Sequence, residues 1–346
     1  MHSSTSNNSN NRRTWWWKAP FLMVLIAAST FIIQRHRPHS APFQKDEGLV
    51  FGTVWHATYQ SDSSLNNSIM QVLNQVDGSL SMFNPKSTLS LINRGESDET
   101  DTLLRVVFTQ AQQISKATDG CFDVTVAPLV NAWGFGFKNG ELPNEQQVDS
   151  LLQFVGWEGV SLIDNRMVKR DERMVLDFSA IAKGFGVDQV ASLFRSKGIE
   201  NFMIEIGGEV IVNGTNPNGK KWNIGVNKPI EDNENQNQEL QTTLQLTNCA
   251  MATSGNYRNF YISEDGRKLA HTIDPKTGYP VQHSILSSTV LAPTCSMADA
   301  FATAFMVMGL DKAKEVLQEH PELKVYFIYS DEDGNYQTWQ SPNLEE

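Results

Sequence analysis

Asp299 and Thr303 stand four residues apart in Ser296-Met297-Ala298-Asp299-Ala300-Phe301-Ala302-Thr303, a run that is otherwise largely apolar. That spacing puts both side chains on one face of a helix. A carboxylate in such surroundings is costly to desolvate unless it finds a partner, and a cation that the threonine hydroxyl also ligates would be one. Ligands made only of oxygen point to Mg2+ or a similar hard ion, not to zinc. The alternative is a helix cap at Asp299, with Thr303 bonded back to a carbonyl.

A second block, Asp177-Phe178-Ser179-Ala180-Ile181-Ala182-Lys183-Gly184, ends a strand-like run at an acid, offers Ser179 as a helix cap and puts Lys183 in the first turns. Helix starts attract phosphate, so a carboxylate, backbone groups and a lysine within seven positions suit an anion held with a hard cation. An ordinary capped helix with a surface lysine has the same letters. Ile206-Gly207-Gly208-Glu209-Val210 lies between two apolar strand candidates, either as a tight turn or as a place where backbone amides approach a ligand. It matches neither a phosphate-binding P-loop nor a dinucleotide fingerprint. Thr253-Ser254-Gly255-Asn256-Tyr257-Arg258 and His271-Thr272-Ile273-Asp274-Pro275-Lys276-Thr277-Gly278 supply hydroxyls, an arginine and a histidine near turn residues. His271 is a general base near neutral pH or a structural histidine at a strand end.

The elements that must hold these residues follow from periodicity. Apolar spacing predicts helices over 64–76, 103–117, 179–196, 296–308 and 310–320. Strands are expected at 50–59, 159–163, 174–177, 202–206, 209–212, 222–226, 243–246, 257–262, 287–291 and 325–329, with a hairpin turn at Glu264-Asp265-Gly266. Clustered strands with helices between them indicate α+β and not a regular βαβ series. The polar stretch 231–239 reads as a solvated loop.

Length and composition, 346 residues with 40% hydrophobic and 19% charged, exclude general disorder and provide for a substantial core. Residues 1–46 carry six basic side chains and one acid, which leaves 22 basic against 38 acidic residues in the body, a formal charge of −16. So negative a body repels nucleic acid. Cys121, Cys249 and Cys295 are odd in number and lack a paired-cysteine motif, so they encode neither a zinc site nor a disulfide framework.

The N-terminus reads as an address. Residues 1–14 form a polar cytoplasmic tail with Arg12 and Arg13; Trp15 to Trp17 and the uncharged run from Ala19 to Ile33 follow. The apolar run alone spans ~22 Å of a ~30 Å hydrocarbon core, and the tryptophans extend it as an interfacial anchor. The expected order is a signal anchor over 15–33, favoured uncleaved over the alternative of a removed signal peptide, a linker over 34–47 and a catalytic body over 48–346. That body would sit on the periplasmic side of the inner membrane.

Taken in order, these blocks resemble the ApbE family of FAD:protein FMN transferases. Phe51-Gly52-Thr53, Ser81-Met82-Phe83, the run from Gly120 to Gly136 and Ile204 to Glu209 extend the likeness across about Gly48 to Tyr329. The resemblance implies a T-fold-like α+β architecture with mixed or antiparallel sheets. It also implies Mg2+-dependent cleavage of FAD, transfer of FMN to a threonine hydroxyl of a partner redox protein, such as a redox-pump or electron-transfer subunit, and release of AMP. By the same likeness the metal ligands are the Ala180 carbonyl, Asp299 and Thr303. The flavin nucleotide pocket is Phe51, Phe83, Cys121, Phe122, Asp123, Asp177, Lys183 and Ile273, and the catalytic residues are His271, Asp299 and Lys183. The family usually has Met where this chain has Phe51, and often an aromatic other than Phe at position 83; both replacements keep an apolar surface for a ring. Two rivals share these residues: an FAD pyrophosphatase giving FMN and AMP, and a non-catalytic, membrane-tethered flavin-binding protein.

Overall fold

The computed structural model describes residues 20–27, 29, 41–136, 142–229, 239–256, 260–262, 268–282, 284–331 and 335–344. The tail at 1–14, the tryptophans at 15–17, most of the linker, Tyr257, Arg258, the turn 264–266 and the stretch 231–238 lie outside them. The chain divides into two units, Met1–Pro42 and Phe43–Glu346. In the first, residues 20–27 are helical and Phe21, Leu22, Met23, Val24 and Ile26 are exposed. No helix among the described residues is long and apolar enough to cross a membrane.

The second unit starts earlier than the expected boundary at Gly48, because Phe43–Val50 is strand β1 and not linker. Its polar letters hide it: it is an edge strand, paired antiparallel with β2 (Thr53–Gln60), whose Trp55, Ala57 and Tyr59 face the core. The single strand expected over 50–59 is therefore a hairpin folded at Phe51 and Gly52, both at positive φ.

The remaining elements are α1 (Asn66–Leu80), α2 (Thr88–Asn93), α3 (Thr102–Ala117), α4 (Ala127–Ala132), α5 (Glu145–Leu152), β3 (Val160–Ile163), β4 (Arg166–Lys169) and α6 (Ser179–Ser196). Then come β5 (Phe202–Ile206), β6 (Glu209–Asn213), β7 (Trp222–Asn227), β8 (Leu240–Leu246), β9 (Cys249–Gly255), β10 (Phe260–Ile262) and β11 (Lys268–Ala270). The chain closes with β12 (Ile285–Ala292), α7 (Cys295–Met308), α8 (Leu310–Glu319), β13 (Lys324–Ser330) and β14 (Tyr336–Gln340).

An eight-stranded sheet in the order β1-β2-β5-β6-β9-β12-β13-β14 is antiparallel throughout. One face buries Ile204, Ile206, Ile211, Ala252, Val290 and Phe327 in the main core, together with residues of α1, α6 and α7. The other face buries Val210, Val212, Met251 and Leu291 against the β7–β8 hairpin. Helices gathered on one side of an antiparallel sheet make the α+β architecture expected from sequence.

Residues 174–177 form no strand. Their backbone is satisfied by a side chain instead: Asn93 donates to Leu176 O and accepts from Leu176 N, each at 2.8 Å, while Asp177 N donates to Val124 O at 2.7 Å. The connector thereby ties α2, the loop after Cys121 and the start of α6 together.

Candidate active site

Helices α6 and α7 meet where Gly184 leaves no side chain in the way. A Cβ there would lie 2.5 Å from the Cys295 carbonyl oxygen and 3.0 Å from Asp299 Cβ. Asp188, one turn further along α6, fixes the contact by accepting from Cys295 N (2.8 Å), Ser296 N (2.9 Å) and Ser296 Oγ (2.7 Å) at the start of α7. Thr294 caps α7, so Asp299 is not the cap; it sits in the second turn, buried at 3% exposure.

Asp299 Oδ2 accepts from Gly184 N at 3.2 Å. Ala180 stands four residues before Gly184, one turn back at the start of α6. Thr303 follows one turn along α7, its hydroxyl 3.2 Å from Ser254 Oγ on β9. The three oxygens expected to hold a cation thus come from one helix start and one helix face.

Lys183 points to the same seam. Its ammonium donates to Glu209 Oε1 at 2.6 Å. Glu209 is delivered by the Gly207-Gly208 turn, which closes the β5–β6 hairpin with Ile206 opposite Glu209 and both glycines at positive φ. The turn does not offer its amides to a ligand: Gly207 N donates to Val54 O and Gly208 N to Glu205 Oε1.

Burial opposes charge on Lys183, but the carboxylates of Asp299 and Glu209 outweigh it and hold the ammonium above the ordinary lysine range. Burial, and then the charge of Asp299, push Glu209 up to about 7 against the pull of Lys183. Burial likewise raises Asp299, while Lys183 and the Gly184 N–H pull it back. Among the described residues Glu209 Oε2 is buried without a hydrogen-bond partner. With both carboxylates ionised, this seam of two acids and one lysine is one positive charge short. Hard oxygen donors and that charge deficit fit a Mg2+-like ion held by Ala180 O, Asp299 and Thr303.

The other expected residues divide into two groups. Asp177 lies just before α6 and its Oδ1 accepts from Ser179 N at 2.7 Å; the acid, not Ser179, organises the helix start. Phe51 lies over α6, since a Cβ on Gly186 would come 2.8 Å from its ring. Phe83 is 73% exposed on the loop after α1, which Ser87 and Ser90 fasten to Ser81 O. Asp177 and Phe51 thus lie at α6, and Phe83 offers an exposed ring.

In contrast, Phe122 (3% exposed) and Ile273 (4%) have side chains in core clusters, Ile273 with Leu129, Trp133 and Val148. Cys121 is buried, its thiol raised by burial, and all three cysteines are free. Asp123 spends Oδ1 on its own loop, accepting from Thr125 N and Thr125 Oγ1 at 2.7 and 2.6 Å, and Oδ2 on Trp157 N, 34 residues on, at 2.8 Å.

His271 is half-buried, its ring 6.4 Å from that of Phe135 in an edge-on arrangement. The end of β9 relates it to the seam: Ser254 meets Thr303, and Asn256 Oδ1 accepts from Thr272 Oγ1 at 2.6 Å, next to His271. Sequence reasoning passed over Asp188, noted Ser254 and Asn256 only as part of a polar block, and gave Glu209 no role. Acids inside apolar runs, Asp188 among Phe185, Val187 and Val190 and Glu209 before Val210-Ile211-Val212, were the available signal.

The ApbE family model matches residues 51–327, which contain every one of these side chains. This chain belongs to the ApbE family. It is 37% identical over 304 residues to an FAD:protein FMN transferase of Haemophilus influenzae, covering 83% of this chain and 86% of that one. An FAD:protein FMN transferase of Escherichia coli K12 is 32% identical over 342 residues, covering 93% and 95%. The solved flavin transferase ApbE from Vibrio cholerae superimposes with a TM-score of 0.79 at 32% identity, covering 88% of this chain and 99% of that chain. The family match thus takes in the sheet from β2 into β13 together with the α6–α7 seam.

Proposed function

We propose that this member of the ApbE family is an FAD:protein FMN transferase whose pyrophosphate-cleaving centre is the α6–α7 seam. The observation that carries the reading is the buried cluster of Lys183, Glu209 and Asp299, set beside Thr303 and the Ala180 carbonyl.

Lys183 binds and neutralises the FAD diphosphate, and Phe51 and Phe83 supply faces for rings. Asp299, Thr303 and Ala180 O would hold Mg2+, which when bound would draw charge from the phosphoryl oxygens. The threonine Oγ of the acceptor protein attacks the FMN phosphorus; the bond to the bridging oxygen breaks and AMP leaves with that oxygen. The threonine proton passes to His271 or to a carboxylate of the site, and a His271→Ala variant separates the two.

Incubation with FAD, Mg2+ and a candidate acceptor tests the reading, because a transferase leaves flavin on the acceptor after denaturation. Free FMN and AMP without covalent flavin would make the protein a pyrophosphatase, and unconsumed FAD would leave it a binding protein. Lys183→Met should weaken FAD binding or slow turnover; parental values in that variant would leave Lys183 only a structural partner of Glu209.

We further propose that residues 15–33 anchor the body at the inner membrane with the catalytic unit on the periplasmic side, facing acceptor redox proteins there. Arg12, Arg13, the three tryptophans and the apolar run from Ala19 to Ile33 support it. A C-terminal alkaline phosphatase fusion should be active; a bright green fluorescent protein fusion with inactive phosphatase would reverse the topology.

A further inference from the structure

Glu209 occupies a place that folding stability alone would not select. It is a carboxylate at 5% side-chain exposure with one oxygen unpartnered among the described residues, and it shares a single lysine with a second buried acid. Replacing one oxygen's partner and stranding the other is an unfavourable way to hold a sheet to a helix, because an unsatisfied buried charge is strongly destabilising. The hairpin nevertheless fixes this residue tightly. Gly207 and Gly208 form a two-residue turn, Ile206 pairs with Glu209, and a Cβ at Gly207 would meet Thr53 at 2.9 Å, so position 209 cannot slide along the sheet.

The exposures of the two partners give the direction. The Lys183 side chain is 32% exposed and that of Glu209 only 5%, so the carboxylate backs the ammonium from the protein side. An ammonium has three donors and Oε1 takes one, which leaves two for a ligand on the side away from Glu209. We propose that Glu209 is a positioning residue for the known family reaction: it orients the Lys183 ammonium toward the diphosphate without itself touching substrate. This rests on the reading of Lys183 as a diphosphate ligand.

A double-mutant cycle on the full chain tests it, with FAD affinity, kcat and KM, and thermal midpoint read for Lys183→Met, Glu209→Gln and the pair. Glu209→Gln should weaken FAD affinity by about tenfold, the scale of one charge-assisted hydrogen bond. In the Lys183→Met background the same change should have no effect on FAD affinity. Glu209→Asp, which keeps the charge, should recover part of the affinity.

Equal losses of FAD affinity from Glu209→Gln in both backgrounds, or parental affinity and kcat in Glu209→Gln alone, would overturn the proposal. Should Glu209→Gln fail to fold alone, the comparison of Lys183→Met with the double variant still decides it. Parental FAD affinity in Lys183→Met would instead remove the reading of Lys183 on which this rests, a result distinct from failure of Glu209.

Discussion

Two buried aspartates, Asp123 and Asp299, are surrounded very differently. Asp123 sits in a closed network: its oxygens accept from Thr125 N, Thr125 Oγ1 and Trp157 N, and Thr125 Oγ1 in turn accepts from Gly156 N at 2.7 Å. Asp299 receives the Gly184 N–H at 3.2 Å and shares one lysine with a second carboxylate. A closed network secures a loop and has little left to offer a ligand. An open one, short of a cation and of donors, does little for the fold by itself and is what a charged substrate and its metal can complete.

The largest expected break in this contrast is Asp299→Ala. FMN transfer should fall by about 100-fold or more, the scale seen when a preorganised electrostatic group is removed, with the circular dichroism spectrum and thermal midpoint retained. Undiminished transfer at limiting Mg2+ would remove Asp299 from the site. Gly184→Ala tests the geometry of the same seam without touching its charges. The added Cβ meets the Cys295 backbone at 2.5 Å, so the helices must part at ~1–3 kcal/mol, and activity should fall along with the melting temperature.

Asp123→Asn should do the reverse. Its amide group would face either the Trp157 N–H or the Thr125 donors, costing about 1–3 kcal/mol of stability by denaturant titration. Turnover at saturating FAD should stay near the parent value in the folded fraction. A loss of turnover without a loss of stability would return Asp123 to the pocket.

Much of this was legible in the sequence where one physical pattern dominated. Helix α6 runs over 179–196 as its apolar spacing predicts, and α7 presents Asp299 and Thr303 from one helix. Edge strand β1 was not legible, because FQKDEGLV shows no strong alternation and its partner β2 supplies the buried face. Nor was the role of Asn93, which satisfies both backbone groups of Leu176 and makes an extended connector out of an expected strand. The family resemblance, and not the residue pattern, named Ile273 and Phe122 for the pocket; their side chains lie in core clusters, which apolar spacing alone would have suggested. Glu209 became visible only when the hairpin brought it to Lys183 across 26 residues of sequence.

A third buried network sharpens the comparison at its weakest end. Tyr59, fully buried, donates to Asp46 Oδ2 and accepts from Leu65 N, while Ser64 Oγ donates to the same carboxylate, so the corner between the β1–β2 hairpin and α1 is closed like that of Asp123. Burial first, and then the hydrogen bond to Asp46, push the phenol up from 10.0 to about 12. A raised folded value means that the unfolded chain loses its proton first. The contribution is therefore complete below pH 10 and is lost as pH rises toward about 12. Denaturant titrations across that window should show stability falling, and Tyr59→Phe should flatten the fall while removing ~1 kcal/mol at neutral pH for its lost hydrogen bonds. FMN transfer at pH 7 should be unchanged in that variant, since a closed network remote in role from the seam has no charge to lend it. An equal alkaline decline in both proteins would show that this corner does not control the transition.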